Sequence, residues 1–104
     1  MIFDANKLDI LGERNDGGVD LCIISSGSLD DSVETQTLLL DKIENYLVFI
    51  KSDEFKKDFP MAQKDNIRII MKLDEKPSEI IYALLETIVP WINENDAKFE
   101  LEIK

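Results

Sequence analysis

The chain has 104 residues, 44% of them hydrophobic and 33% charged, a composition typical of one globular domain and not of a disordered segment. Its 12 basic and 22 acidic residues give a formal net charge of −10, which disfavours nucleic acid and membrane surfaces as partners and favours a basic protein. The same charge also has a simpler interpretation, since it keeps a small protein soluble. With one cysteine and no histidine, the chain has no internal disulfide, Ser-His-Asp triad or histidine metal site, and we expect a cytoplasmic location.

A β-hairpin is predicted in the first quarter of the chain. Residues 15–18 read Asn-Asp-Gly-Gly, a strong turn signal, and they separate two apolar runs at residues 8–11 and 19–24. The Ser-Ser-Gly-Ser segment at residues 25–28 ends the second strand. No secretory signal is recognised at the amino end, because acidic residues come early and no apolar run follows a basic start.

A long amphipathic helix is predicted from Asp31 to Lys51. Asp31 and Glu34 have the spacing of a capping box, which places the helix start there. Apolar residues then recur every three or four positions and indicate the core-facing side: Leu39, Leu40, Ile43, Tyr46, Leu47 and Ile50. Lys42 and other polar residues are expected on the opposite side.

A short helical turn near residues 53–58 is predicted next, with Ser52 as its cap and Pro60 as its stop. Residues 67–73 alternate as a strand. A second main helix opens at Pro77 and Ser78, and Pro90 is expected to stop or kink it near Val89. Residues 98–104 alternate cleanly and predict the last strand.

These elements predict an α+β fold of order ββαβαβ in a single domain over residues 1–104. The expected architecture is a two-layer sandwich, in which both main helices cover one face of a four-stranded sheet. The other face would be open, with a small apolar centre among charges. We therefore predict an interaction surface there, made of Cys22, Ile24, Arg68, Ile70, Lys72, Lys98, Glu100 and Glu102. Scattered surface apolars, or a covering loop, would explain Ile24 and Ile70 equally well.

Two smaller sets of residues suggest chemistry. Asp30, Asp31 and Glu34 could bind a divalent cation through oxygen ligands, although acids at a helix start are more simply explained by capping. Cys22 could be reactive if Arg68 or Lys72 lowered its pKa, or it could be an inert core thiol. No catalytic or cofactor motif is recognised, so we expect no cofactor.

The chain resembles an uncharacterised family of small bacterial domains of unknown function. The resemblance lies in the Leu-Asp-Ile run at 8–10, the strand at 19–24, and the stretches 38–50 and 52–60. A Trp tends to follow a Leu-Asp pair in that family, whereas Asp31 follows the pair at 29–30 here. The resemblance implies a bacterial source and no known activity.

Sequence reasoning therefore leaves several functions open. The first is a non-catalytic interaction module, either self-associating as a homodimer or acting as an acidic antagonist of a basic partner. The second is a carboxylate-dependent enzyme or binding domain that holds Mg²⁺ or Ca²⁺ at the acidic cluster. Nucleic-acid binding through Arg68, Lys72 and Lys98 is disfavoured, because the basic residues are few and no aromatic residue is expected on that sheet face.

Overall fold

The computed structural model describes residues 10–25 and 30–103, which form four strands and three helices. Within these residues the elements are β1 (Ile10–Glu13), β2 (Val19–Ser25), α1 (Val33–Ile50), α2 (Asp53–Asp58), β3 (Ile67–Leu73), α3 (Glu79–Glu94) and β4 (Lys98–Ile103). Residues 8 and 9 of the predicted first strand, most of the 25–28 loop and residue 104 of the last strand lie outside the described residues. The predicted order ββαβαβ is confirmed.

The four strands form one mixed sheet in the order β1-β2-β3-β4. β1 and β2 are antiparallel, whereas β2, β3 and β4 run parallel to one another. Each parallel pair is joined by a helical crossover, as parallel neighbours require. The predicted α+β class, with a four-stranded sheet and helices packed against it, is confirmed.

The core lies between the sheet and the two long helices. Its fully buried members alternate along the strands and recur at helical spacing on α1 and α3, as burial of one face requires. The most deeply buried are Leu21, Ile23, Leu39, Ile43, Ile69, Met71, Ile81 and Ile92. Lys42 departs from the prediction, because it is fully buried on α1 and its amine lies 5.5 Å from the ring centre of Tyr46.

α1 begins one residue later than its predicted cap. Ser32 is the N-cap, with its hydroxyl accepting a hydrogen bond from the Thr35 N–H at 3.1 Å. The predicted capping box of Asp31 and Glu34 is therefore wrong. Ser32 caps the helix instead, and the Asp30 carboxylate orients Ser32 and Thr35 by accepting hydrogen bonds from both hydroxyls. Ser52 and Ser78 cap α2 and α3, and the Ser52 cap is as predicted.

α3 continues through Pro90 to Glu94, so of the predicted stop or kink near Val89 the stop is wrong. Pro90 and Glu86 are both exposed. Water can therefore bond the Glu86 carbonyl that the proline ring leaves without its helical partner. The helix ends one turn later, where Asp96 takes a left-handed φ of 72° and the chain turns into β4.

The hairpin turn depends on Gly17, which has a φ of 87°. A side chain at this position would also collide with Met61. Gly18 donates its N–H to the Asp16 carboxylate at 2.8 Å, which closes the turn locally. The predicted turn therefore forms as expected, and it sets the antiparallel register in which Leu11 is directly opposite Leu21.

Candidate interaction surface

The sheet face opposite the helices carries the predicted surface in three rows across the strands. Here we call it the outer face, consisting of Asp20, Cys22, Ile24, Arg68, Ile70, Lys72, Lys98, Glu100 and Glu102. The register aligns Asp20 with Arg68 and Lys98, Cys22 with Ile70 and Glu100, and Ile24 with Lys72 and Glu102. The eight predicted residues therefore lie together on one face, and Asp20 joins them.

Asp20 is the centre of a charge network at one end of this face. Arg68 donates from Nε to Oδ1 and from Nη2 to Oδ2 of Asp20, both at 2.7 Å, which is the bidentate geometry of a strong ion pair. Arg14 also pairs with Asp20 and donates to the Asn66 carbonyl at 2.6 Å. The hydrogen bonds from Arg68 are the largest cause that holds the pKa of Asp20 below its usual value.

The apolar centre of the outer face is covered, contrary to the expectation of an open patch. Cys22 and Ile70 are 7% and 4% exposed, and Ile24 is only half-buried. Burial raises the pKa of the Cys22 thiol, since the thiolate would lose its hydration. The positive charge of Lys72 lowers the pKa of the thiol, but by less than burial raises it. The structure therefore favours the inert thiol over the reactive one.

The charged rim of the outer face is largely compensated within the fold. Arg68 donates to Glu100 at 3.1 Å, and the amine of Lys72 lies 3.8 Å from Glu102. Lys98 is exposed, and its side chain makes no ion pair with another described residue. The basic residues are thus divided among carboxylates and do not form a continuous positive patch.

A second surface lies at the edge of the sheet along β4. Among the described residues this strand pairs only with β3, so its other edge presents backbone groups without a strand partner. Beside that edge, an open groove runs between α3 and β4 and includes a cavity of about 410 Å³. We call it the β4 groove. Its apolar lining consists of Pro77, Tyr82, Ala83, Leu85, Val89, Phe99, Leu101 and Ile103, and three charged residues also line it: Lys76, Glu79 and Glu86.

The side chains that β4 contributes to the β4 groove are more exposed than the inward-facing residues of β2 and β3. Tyr82 is 39% and Ile103 is 42% exposed, while Phe99 and Leu101 are half-buried. On β2 and β3, the corresponding inward residues, such as Leu21 and Ile69, are fully buried. The combination of an unpaired strand edge and an apolar flank is the arrangement to which extended segments add in β-augmentation.

The acidic cluster at the start of α1 has a structural explanation. One oxygen of Asp30 accepts hydrogen bonds from the Ser32 N–H at 3.0 Å and from the Ser32 and Thr35 hydroxyls at 2.6 Å. These hydrogen bonds lower the pKa of Asp30, and the bond from the Ser32 hydroxyl has the largest effect. In the parts of the chain that the structure describes, no three acidic or cysteine residues are grouped to hold a metal ion. A divalent cation at Asp30, Asp31 and Glu34 therefore stays a prediction.

Sequence reasoning missed Asp20, Arg14 and the β4 groove. Alternation along residues 19–24 does place Asp20 on the outer face, so the sequence indicates the face of the sheet on which Asp20 lies. The pairing of β2 with β3, however, joins residues 48 positions apart and has no local signature. The groove was missed for a related reason, because only the strand order shows that β4 is an edge.

The fold and the surface define a class: a small α+β domain whose mixed sheet has helices on one face and an edge strand beside an apolar groove. Among the described helices, none is long and apolar enough to cross a membrane. The chain belongs to the family of unknown function DUF6572, whose model matches residues 1–104. This match confirms the predicted membership in a family without known activity. No curated protein and no solved structure matches the chain.

Proposed function

We propose that the protein is a non-catalytic protein–protein interaction module of the bacterial cytoplasm. The observation that carries this proposal is the edge of β4 that pairs with no other described strand and lies beside the apolar β4 groove. A partner that adds a strand there gains backbone hydrogen bonds from the edge and side-chain contacts from the groove. The single buried cysteine is consistent with a reducing compartment.

The charges of the surface support a protein partner over a nucleic acid. Arg68 is engaged by Asp20 and Glu100, and Lys72 lies near Glu102, so the outer face has few basic groups left for phosphates. The formal net charge of −10 also opposes binding to a phosphate backbone or an anionic membrane. A basic protein fits this net charge better than either.

Site-specific photo-crosslinking in cells of the source organism tests the proposal. A photoreactive phenylalanine analogue replaces Tyr82 in the β4 groove, and the control places the same analogue at Val48, which is exposed on α1. The proposal predicts an adduct from position 82 and none of that mass from position 48. If neither position gives an adduct at native expression levels, or both give the same adducts, the proposed function is wrong.

A further inference from the structure

The edge of β4 has a charge pattern that is complementary to itself. Lys98, Glu100 and Glu102 alternate on the outer face, and Phe99 and Leu101 alternate toward the helices. When two such strands pair antiparallel, residues directly opposite each other point to the same face. A two-fold axis centred on Glu100 therefore places Lys98 of each copy opposite Glu102 of the other, and Phe99 opposite Leu101.

We propose that β4 pairs antiparallel with β4 of a second copy about a two-fold axis at Glu100, which forms one continuous eight-stranded sheet across a homodimer. This inference rests on the proposed function and names the partner. The axis is perpendicular to the sheet, so both helix layers lie on the same side and the two β4 grooves face each other. Such an isologous contact is the commonest way for a protein to self-associate.

The neighbouring registers fit less well. An axis at Leu101 would place Glu100 opposite Glu102 twice, and like charges directly opposite each other destabilise a strand pair. An axis at Phe99 would place Lys98 opposite Glu100 twice, but it would pair only residues 98–100 of the strand and would leave Glu102 opposite Asp96, which lies outside it. The axis at Glu100 leaves one like-charge contact, Glu100 with its copy, and each of these carboxylates is already held by its own Arg68 at 3.1 Å.

Lys98 supports the same arrangement. It makes no ion pair among the described residues, although its neighbours Arg68 and Lys72 on β3 both have carboxylate partners. In the proposed dimer it reaches Glu102 of the second copy. Each dimer contains this pair twice, so the charges at positions 98 and 102 determine both the register and part of the affinity.

Charge exchange provides the first test. Sedimentation velocity is run on the purified chain from about 10 µM to about 1 mM, the range in which small contacts dissociate. Lys98→Glu and Glu102→Lys alone each replace two attractive pairs with two repulsive ones, so each should weaken dimerisation on the order of tenfold. An equimolar mixture of the two variants restores both attractive pairs and should recover the dimer as a heterodimer.

Controls separate this result from a general effect of charge or misfolding. Lys64→Glu makes the same change in net charge as Lys98→Glu, at an exposed position outside β4, and should leave dimerisation unchanged. Circular dichroism checks that each variant is folded, and recovery on mixing shows that neither variant is damaged. A mixture that associates no better than the single variants overturns the inference.

Disulfide trapping tests the register. In a Cys22→Ala background, Glu100→Cys should cross-link to itself, because residues directly opposite each other fall within disulfide reach. Lys98→Cys should cross-link only when mixed with Glu102→Cys. Self-linking of Leu101→Cys without self-linking of Glu100→Cys would place the axis elsewhere and overturn the inference.

The outcomes also separate this inference from the proposed function. If the purified chain stays a monomer to about 1 mM while position 82 cross-links to a different protein in cells, the second copy is the wrong partner and the interaction module stands. If position 82 gives no adduct and the chain is a monomer, both proposals fail.

Discussion

Arg68 on β3 donates two hydrogen bonds of 2.7 Å to the carboxylate of Asp20 on β2. The two residues are directly opposite in the parallel register, and each side chain is about one third exposed or less. A bidentate pair in this setting holds two strands together more firmly than an exposed ion pair would. Asp20 also pairs with Arg14 of the hairpin, so one carboxylate joins three segments of the chain.

Asp20→Asn should lower the free energy of unfolding by about 1 kcal/mol, because the amide keeps the shape but loses the charge-assisted bonds to Arg68 and Arg14. Urea denaturation measures the change. Asp65→Asn is the matched control, since it makes the same substitution at an exposed position in the turn before β3. This control should change stability by less than about 0.5 kcal/mol, and equal effects of both variants would contradict the assigned role of Asp20.

The same pair predicts a dependence of stability on pH. The pKa of Asp20 is lower in the folded protein than its usual value, chiefly through the hydrogen bonds from Arg68. Its contribution is therefore present above the unfolded pKa of about 3.9 and is lost as the pH falls through the lower folded pKa. The stability difference between wild type and Asp20→Asn, measured by urea denaturation, should shrink as the pH is lowered from about 6 toward about 3. A constant difference would contradict this account.

Local signals predicted the elements well, because each helix and strand carries its own evidence. The Asn-Asp-Gly-Gly turn, the Ser52 cap and the alternation of residues 98–103 are readable without knowing what packs on them. The cap of α1 was assigned one residue too early, since Asp30, Asp31 and Ser32 are all good caps by type. Only the hydrogen bond that the Ser32 hydroxyl accepts from the Thr35 N–H decides among them.

Long-range features could not be read in the same way. The pairing of Asp20 with Arg68 depends on the β2–β3 register, and the β4 groove depends on the strand order. Burial of Lys42 and Ile70 likewise depends on neighbours distant in sequence, whereas helical spacing placed Lys42, and strand alternation placed Ile70, on a side expected to be exposed. The outer face was therefore predicted as a set of residues, but its covered centre and its compensated charges were not.

Ser32→Ala should destabilise the protein by about 1 kcal/mol, because the Thr35 N–H loses its cap at the start of α1. Asp31→Ala should cost much less, since Asp31 is exposed and precedes the cap. Chemical denaturation of both variants, followed by circular dichroism, makes the comparison. A larger loss for Asp31→Ala than for Ser32→Ala would restore the capping box predicted from the sequence.

Cys22 should react slowly with a thiol reagent in the folded protein. The side chain is 7% exposed and burial raises its pKa, so both access and thiolate formation are disfavoured. As urea is added, the labelling rate of Cys22 should rise to that of a small-molecule thiol. The rise should occur over the same urea concentrations at which the far-UV circular dichroism signal of the fold is lost. Fast labelling without denaturant would show that the centre of the outer face is accessible after all.

Pro90→Ala tests why α3 passes through a proline. The substitution restores the N–H that can donate to the Glu86 carbonyl and removes the ring that crowds it. Because proline is the poorest residue for a helix interior, we expect the free energy of unfolding to rise by about 1 kcal/mol or more. Asn93→Ala is the control for helix propensity alone at an exposed position of the same helix, and its gain should stay near 0.5 kcal/mol or below. Thermal denaturation of the two variants compares them directly. A loss of stability in Pro90→Ala would mean that the fixed φ of proline stabilises the last turn before β4 by more than the missing hydrogen bond costs.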